Sequence, residues 1–193
     1  MSTAVSQPGF ANPVSDAQAC FRAVLDAMAR PGQVRRAGSD LTPPAPLARA
    51  TCAVLLTLVD YDTPLWLDPA ALSASEWIAF HCGVPFVKTR SDCSFALALS
   101  LLELSSLPAG THELPESAAT LILQVKALGR GTSYRLTGPG LREPALFSVE
   151  GLPKGFSASW RENHALFPRG VDLILCAGST LAALPRSVSV EEV

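Results

Sequence analysis

A layered α/β domain with a mixed sheet between helical layers, α/β/α, is the fold the sequence predicts, and three observations carry it. Segments with apolar residues at helical spacing alternate with short runs of β-branched and aliphatic residues. One run, Val171-Asp172-Leu173-Ile174-Leu175-Cys176, is apolar apart from Asp172, the pattern of a central strand buried on both faces. Thr120 to Val125 and Ser133 to Thr137 flank Gly129-Arg130-Gly131 and read as a hairpin inserted into the alternation.

In chain order, residues 1–13 hold Ser, Gln, Pro, Gly and Asn without periodicity and are expected to be a flexible arm. The single domain then spans 14–193. Ser15 and Gln18 have capping-box spacing, and Ala17, Phe21, Val24, Leu25 and Met28 follow at helical intervals, up to the stop at Pro31-Gly32. On the polar face, Asp26 has Arg22 and Arg30 four residues to either side, both pairable with it. A proline-rich connector, Thr42-Pro43-Pro44-Ala45-Pro46, leads to a second helix with apolar positions Leu47, Ala50, Val54, Leu55 and Leu58. Asp60 to Pro64 breaks it, and Leu65-Trp66-Leu67 is a short strand. Ser73 and Glu76 suggest another capping box, opening a helix that ends near Gly83. Strands are expected at Val84 to Val87 and Phe95 to Leu99, and a helix over 154–165.

The 193 residues include 48% hydrophobic and only 17% charged side chains. A chain of this size buries about 70% of its unfolded surface, and so little charge predicts an exposed apolar surface available to a partner. The net charge is −2 and there is no basic stripe, which removes the electrostatic footprint of nucleic-acid binding. Apolar stretches such as Ala53 to Val59 are too short to span a bilayer. Five widely spaced cysteines without a CxxC pair, and no secretory signal before Pro8, predict buried thiols in a reducing, cytoplasmic setting.

Few constellations point to chemistry. Gly138-Pro139-Gly140 and Gly129-Arg130-Gly131 lack the Gly-Lys-Ser/Thr of a phosphate loop and are explained as turns. His81-Cys82 has no second ligand pair, so no metal site is expected. Gly178-Ser179 lacks the second glycine of a nucleophile elbow. Asp60 and Asp62 either hold a cation or share a proton, or accept backbone hydrogen bonds within their turn, and the last is the commoner use of aspartate. Asp172, inside an apolar strand, needs a partner: a ligand at the sheet edge, or an arginine such as Arg22 or Arg186. The three lysines, Lys88, Lys126 and Lys154, all lack the setting of a Schiff-base lysine. Clustered cysteines for radical iron–sulfur chemistry are absent.

Taken together and in order, several segments resemble the PhnH family, the H subunits of the bacterial carbon–phosphorus lyase system. They are Asp16-Ala17-Gln18, Phe21-Arg22, Ala27-Met28 and Pro31-Gly32; Leu55 through Asp60-Tyr61-Asp62-Thr63-Pro64 to Leu67; His81 with Pro85; Ala119 to Val125; Leu136 to Gly140; Phe167-Pro168 through Asp172 to Leu175; and Leu184-Pro185-Arg186. Cys82-Gly83 and Ser187-Val188 depart from the pattern. The resemblance implies a fold similar to the large domain of pyridoxal-phosphate (PLP) dependent transferases. It implies a role in forming ribose 1-methylphosphonate 5-triphosphate from ATP and methylphosphonate, with sister subunits G, I and L, and a core complex with G, I and J. Carbon–phosphorus cleavage would belong to J and nucleosidase chemistry to I.

The expectation is therefore a non-catalytic subunit with no cofactor of its own, a homodimer when isolated. Two alternatives stand beside it. One is a phosphonate- or nucleotide-binding protein with Arg22, Asp60, Asp62, Asp172 and Arg186 as ligand-binding candidates. The other is a free-standing PLP-type transferase.

Overall fold

The computed structural model describes residues 7–193. Helix α1 (Pro13–Ala29) begins with Asn12 at its cap and Pro13 as its first residue, where the fixed φ of proline suits a helix start. The Ser15–Gln18 capping box does not form. Asp16 takes over instead, its carboxylate accepting the Asn12 N–H at 2.9 Å and placing negative charge in the first turn. The buried side of α1 is Cys20, Val24 and Ala27, whereas Phe21 and Leu25 are 50% and 58% exposed. The helical period was legible but the face was rotated: small side chains let α1 approach α2 and the sheet, and the larger ones turn outward.

Strand β1 (Arg35–Arg36), α2 (Arg49–Leu58) and β2 (Leu65–Leu67) follow. A 3₁₀ turn at Pro69–Ala74, capped by the Asp68 carboxylate, leads into α3 (Ser75–Cys82), so the expected Ser73–Glu76 box is also absent. Ser73 Oγ donates to Ala45 O at 3.0 Å instead. Gly83 ends α3 with φ of 65°, the left-handed conformation that glycine adopts without penalty. The chain continues through β3 (Phe86–Val87), β4 (Phe95–Ala98), β5 (Thr120–Gln124), β6 (Ala127–Thr137), β7 (Ala145–Glu150), α4 (Phe156–His164), β8 (Asp172–Ala177), β9 (Thr180–Leu184) and β10 (Ser189–Glu192).

Seven strands make the mixed sheet, in the order β1-β9-β8-β5-β4-β2-β3. Strands β8, β5, β4, β2 and β3 are parallel; β9 and β1 are antiparallel additions. Alternation along the central strands feeds two cores. Ile122 and Ile174 face the core under α1, α2 and α3 with Leu55 and Trp77. Leu121, Leu123, Leu173 and Leu175 face the other core with Tyr134, Phe156 and Trp160. The second face is covered by α4 and a three-stranded sheet, β10-β6-β7, in place of the purely helical layer that an α/β/α sandwich would have.

The expected hairpin between Thr120 to Val125 and Ser133 to Thr137 is overturned. β5 lies parallel between β4 and β8, and the return strand belongs to β6, paired with β7 and β10 in the other sheet. β5 is apolar on both faces and needs cover on both, which a surface hairpin lacks. Gly129 and Gly131, at positive φ, sit where the β6–β7 register shifts, so they bulge a continuing strand rather than reverse it.

Of the segment expected to be an arm, residues 1–6 lie outside the described residues and 7–12 are held down. The Gln7 carbonyl accepts from the buried indole Nε1 of Trp77 at 3.0 Å and from His81 Nε2 at 3.1 Å, and Phe10 packs on the core. Deleting residues 1–12 is expected to cost about 1–3 kcal/mol, because the Trp77 N–H loses its partner. Thermal unfolding of the 13–193 chain checks this; an unchanged midpoint would refute it.

Candidate functional site

The β8–β9 hairpin decides which arginine Asp172 receives. With Leu173 opposite Leu184, the chain leaving β9 passes back beside the first residue of β8. Asp172 Oδ1 accepts the Arg186 backbone N–H at 2.8 Å and Nε at 3.1 Å, and Oδ2 accepts Nη2 at 2.5 Å. Arg186 Nη1 donates to Pro115 O at 2.7 Å. The side chains are 14% and 16% exposed, and the fork geometry is that of a strong paired ion bridge. This is an anchor tying the sheet to loop 109–119, and it leaves little capacity for a ligand.

Around it, His164 Nδ1 lies 2.8 Å from Arg186 O. The buried Asn163 amide accepts the Val171 N–H at 2.8 Å and donates to Val171 O at 2.9 Å. Sequence reasoning missed Asn163. The signal was present: it continues the buried i, i+4, i+7 stripe of Phe156 and Trp160, where an amide must find partners.

The other candidates lie elsewhere. Arg22 is exposed on the outer face of α1, beside a groove it lines with Leu25, Asp26, Arg30 and Arg35. Asp26 pairs with Arg30 and Arg35, not with Arg22. Asp60 closes the α2–β2 turn: its Oδ1 accepts the Asp62 N–H at 3.0 Å and the Thr63 hydroxyl at 3.1 Å, while Thr63 Oγ1 accepts the Asp60 N–H at 2.7 Å. Asp62 is exposed. Leu65, which follows that turn, shares a row of the sheet with Phe95, Thr120 and Asp172. Three strand spacings, about 14 Å, therefore separate the turn's end of β2 from Asp172. The five candidates occupy three places, and Arg22 shares no ion pair with the rest.

Open α/β sheets take ligands at the carboxyl ends of parallel strands, where the strand order reverses. Here that place is the β2–β4 pair, and the chain fills it. The Asp68 carboxylate accepts the N–H of Ala70 and of Leu99, each at 2.9 Å, bridging the two strand ends. At the same edge, Gln124 Oε1 accepts the Ala48 N–H at 2.6 Å and the Thr51 hydroxyl at 2.8 Å, and the Ala50 N–H donates to Gly178 O. An anion at a helix N-terminus needs free N–H groups, and at the start of α2 that of Ala50 is already spent on Gly178 O.

Remaining reactive groups are muted. Lys88, Lys126 and Lys154 are exposed. Cys20, Cys52, Cys93 and Cys176 are buried, Cys82 is half-buried, and all are free. Burial pushes the Cys93 thiol up to about 11 and Cys82 to about 12, with Cys52 and Cys176 driven well above the ordinary value, so none is a ready nucleophile. Among the described residues no three His, Cys, Asp or Glu side chains converge to share a metal ion, and no helix is long and apolar enough to cross a membrane.

Comparison with known proteins agrees with the motifs. The family model described as bacterial phosphonate metabolism protein (PhnH) matches residues 8–191. The alpha-D-ribose 1-methylphosphonate 5-triphosphate synthase subunit PhnH of Rhizobium meliloti is 41% identical over 187 residues, 94% of each chain. A putative C-P lyase subunit protein, HtxG, of Stutzerimonas stutzeri is 34% identical over 178 residues, 90% of this chain and 85% of that one. With a family match across nearly its whole length and relatives at this identity, the chain belongs to the PhnH family of bacterial phosphonate metabolism proteins.

Proposed function

We propose that the chain is a subunit of the phosphonate-degrading machinery, supporting formation of ribose 1-methylphosphonate 5-triphosphate from ATP and methylphosphonate without supplying a catalytic group. The relatives' names support the pathway. The observation that carries the non-catalytic part is the filled carboxyl edge, where Asp68 and Gln124 spend their polar atoms on the protein's own backbone and on Thr51. A mixed sheet with five parallel strands supports the likeness to the large domain of PLP-dependent transferases, while three exposed lysines leave that cofactor no desolvated amine. Its partners in this reading are the G, I, J and L subunits in the cytoplasm, with self-association when alone. The exposed Phe21 and Leu25 on α1 offer apolar surface for such contacts.

Co-purification tests the reading. From cells expressing the whole set of phosphonate-pathway proteins, a tagged chain is expected to bring down its sister subunits in fixed proportion. A chain that elutes alone, and as a monomer at high concentration, would overturn it.

A further inference from the structure

We propose that the outer face of α1 is a docking site for an amphipathic helix of a sister subunit, one whose apolar seam is bordered by carboxylates; this rests on the subunit reading above. Val14, Gln18, Phe21 and Leu25 follow one another at intervals of four, three and four, the spacing of a coiled-coil seam. All four face outward: Val14 is 85%, Phe21 50% and Leu25 58% exposed, and Gln18 is exposed as well. A different side of α1, with Cys20, Val24 and Ala27, already holds the helix to the core. The seam runs about 16 Å along the helix, three turns of surface with the periodicity that another helix packs against.

Charge supplies the second observation. Beside the seam, a groove between α1 and the edge strand β1 is lined by Arg22, Arg30 and Arg35, by Asp26, and by apolar Leu25 and Ala29. Leu25 belongs to both seam and groove, and Arg22 stands three residues before it, so helical spacing sets the guanidinium beside the apolar side chains. Asp26 pairs with Arg30 and Arg35. Arg22 is exposed and joins no ion pair among the described residues, so an incoming carboxylate can reach it. Three guanidinium groups against one carboxylate leave the groove positive on a chain whose net charge is −2.

This charge selects the occupant. A second copy would meet the face with the same face in a two-fold contact, setting one positive groove against another. A free phosphate or phosphonate is held by converging backbone N–H groups. In the interior of α1 those groups are bonded to carbonyls four residues back, and a small ion would leave Phe21 and Leu25 in water. A partner helix with apolar residues at heptad spacing, and Asp or Glu along the side that meets Arg22, covers the seam and neutralises the groove together. Aromatic residues and arginine are the types enriched at such interfaces.

The test is co-purification of tagged Arg22→Glu, Leu25→Ser and Leu146→Ser chains with co-expressed G, I, J and L subunits, beside the native chain. Leu146, 74% exposed on β7, is the control for losing apolar surface elsewhere. Arg22→Glu and Leu25→Ser are expected to lower the recovered sister subunits by about tenfold or more with thermal midpoints unchanged, and Leu146→Ser to recover them as the native chain does. Full recovery with Arg22→Glu overturns the inference, and so does an equal loss with Leu146→Ser. Loss of self-association with partner recovery intact would give the face to a second copy. Protection of Phe21 and Leu25 from hydroxyl radicals by methylphosphonate alone would give it to a small anion. Either result overturns the inference too. A native chain that recovers no partner removes the subunit reading itself, and this inference with it. Should the variants not fold, hydroxyl-radical footprinting of the native complex decides: Phe21 and Leu25 must be protected on assembly, and equal oxidation in free and assembled protein overturns the inference.

Discussion

Asp172→Ala is expected to lower the unfolding free energy by about 3–5 kcal/mol, the range for removing one partner of a buried ion pair. The deletion strands the Arg186 guanidinium, which is 14% exposed, and also leaves the Arg186 backbone N–H without its acceptor. Loop 109–119 is then held less firmly, because Arg186 also grips Pro115. Asp172→Asn should cost less, since an amide oxygen can still accept from that N–H. Pairing Asp172→Leu with Arg186→Met should recover much of the loss, because the stranded charge goes with its partner. Denaturant unfolding of the two single variants and the pair measures this. A loss below about 1 kcal/mol for Asp172→Ala, the size of an exposed ion pair, would show the bridge to be superficial.

This pair also shows where sequence reasoning reaches and stops. An acid in an apolar run must be matched, so the need for a partner was legible at Asp172. The choice of Arg186 over Arg22 was not, because it is set by the antiparallel return of β9, a strand the sequence did not reveal. Its Leu181, Ala182 and Ala183 have weak strand preference; position between β8 and β1 overrides it. β8 itself was legible from its unbroken apolar run. β5 was legible as a strand, but its pairing was not: parallel neighbours come from distant segments, while the glycines downstream imitate a local turn. The Asp60 turn follows from elementary aspartate chemistry. Asp68 and Gln124, which close the carboxyl edge, belong to no motif, and only the packed sheet gives them meaning.

Raising the pH is expected to unfold this protein earlier than its few lysines and ion pairs would suggest. Cys52 and Cys176 are fully buried, and burial holds both thiols well above the ordinary value of 9.0. Unfolded, the same thiols ionise near that value. Between the two ranges the folded chain binds more protons than the unfolded one, so the derivative of unfolding free energy with pH is negative. The stability these thiols contribute is complete below about pH 8 and drains away as the pH rises above about 9. Each group removes up to about 1.4 kcal/mol per pH unit, about 2.7 for the two together. Tyr134, also raised by burial, steepens the fall further up the scale. Urea unfolding at pH steps from 7 to about 10.5, with m-values compared to confirm two-state behaviour, gives the slope. The control is a Cys52→Ala, Cys176→Ala chain, less stable at neutral pH because of the cavities it creates but flatter in its pH dependence. A double variant whose stability falls as steeply above pH 9 as the native chain's would show that the alkaline loss arises from other groups.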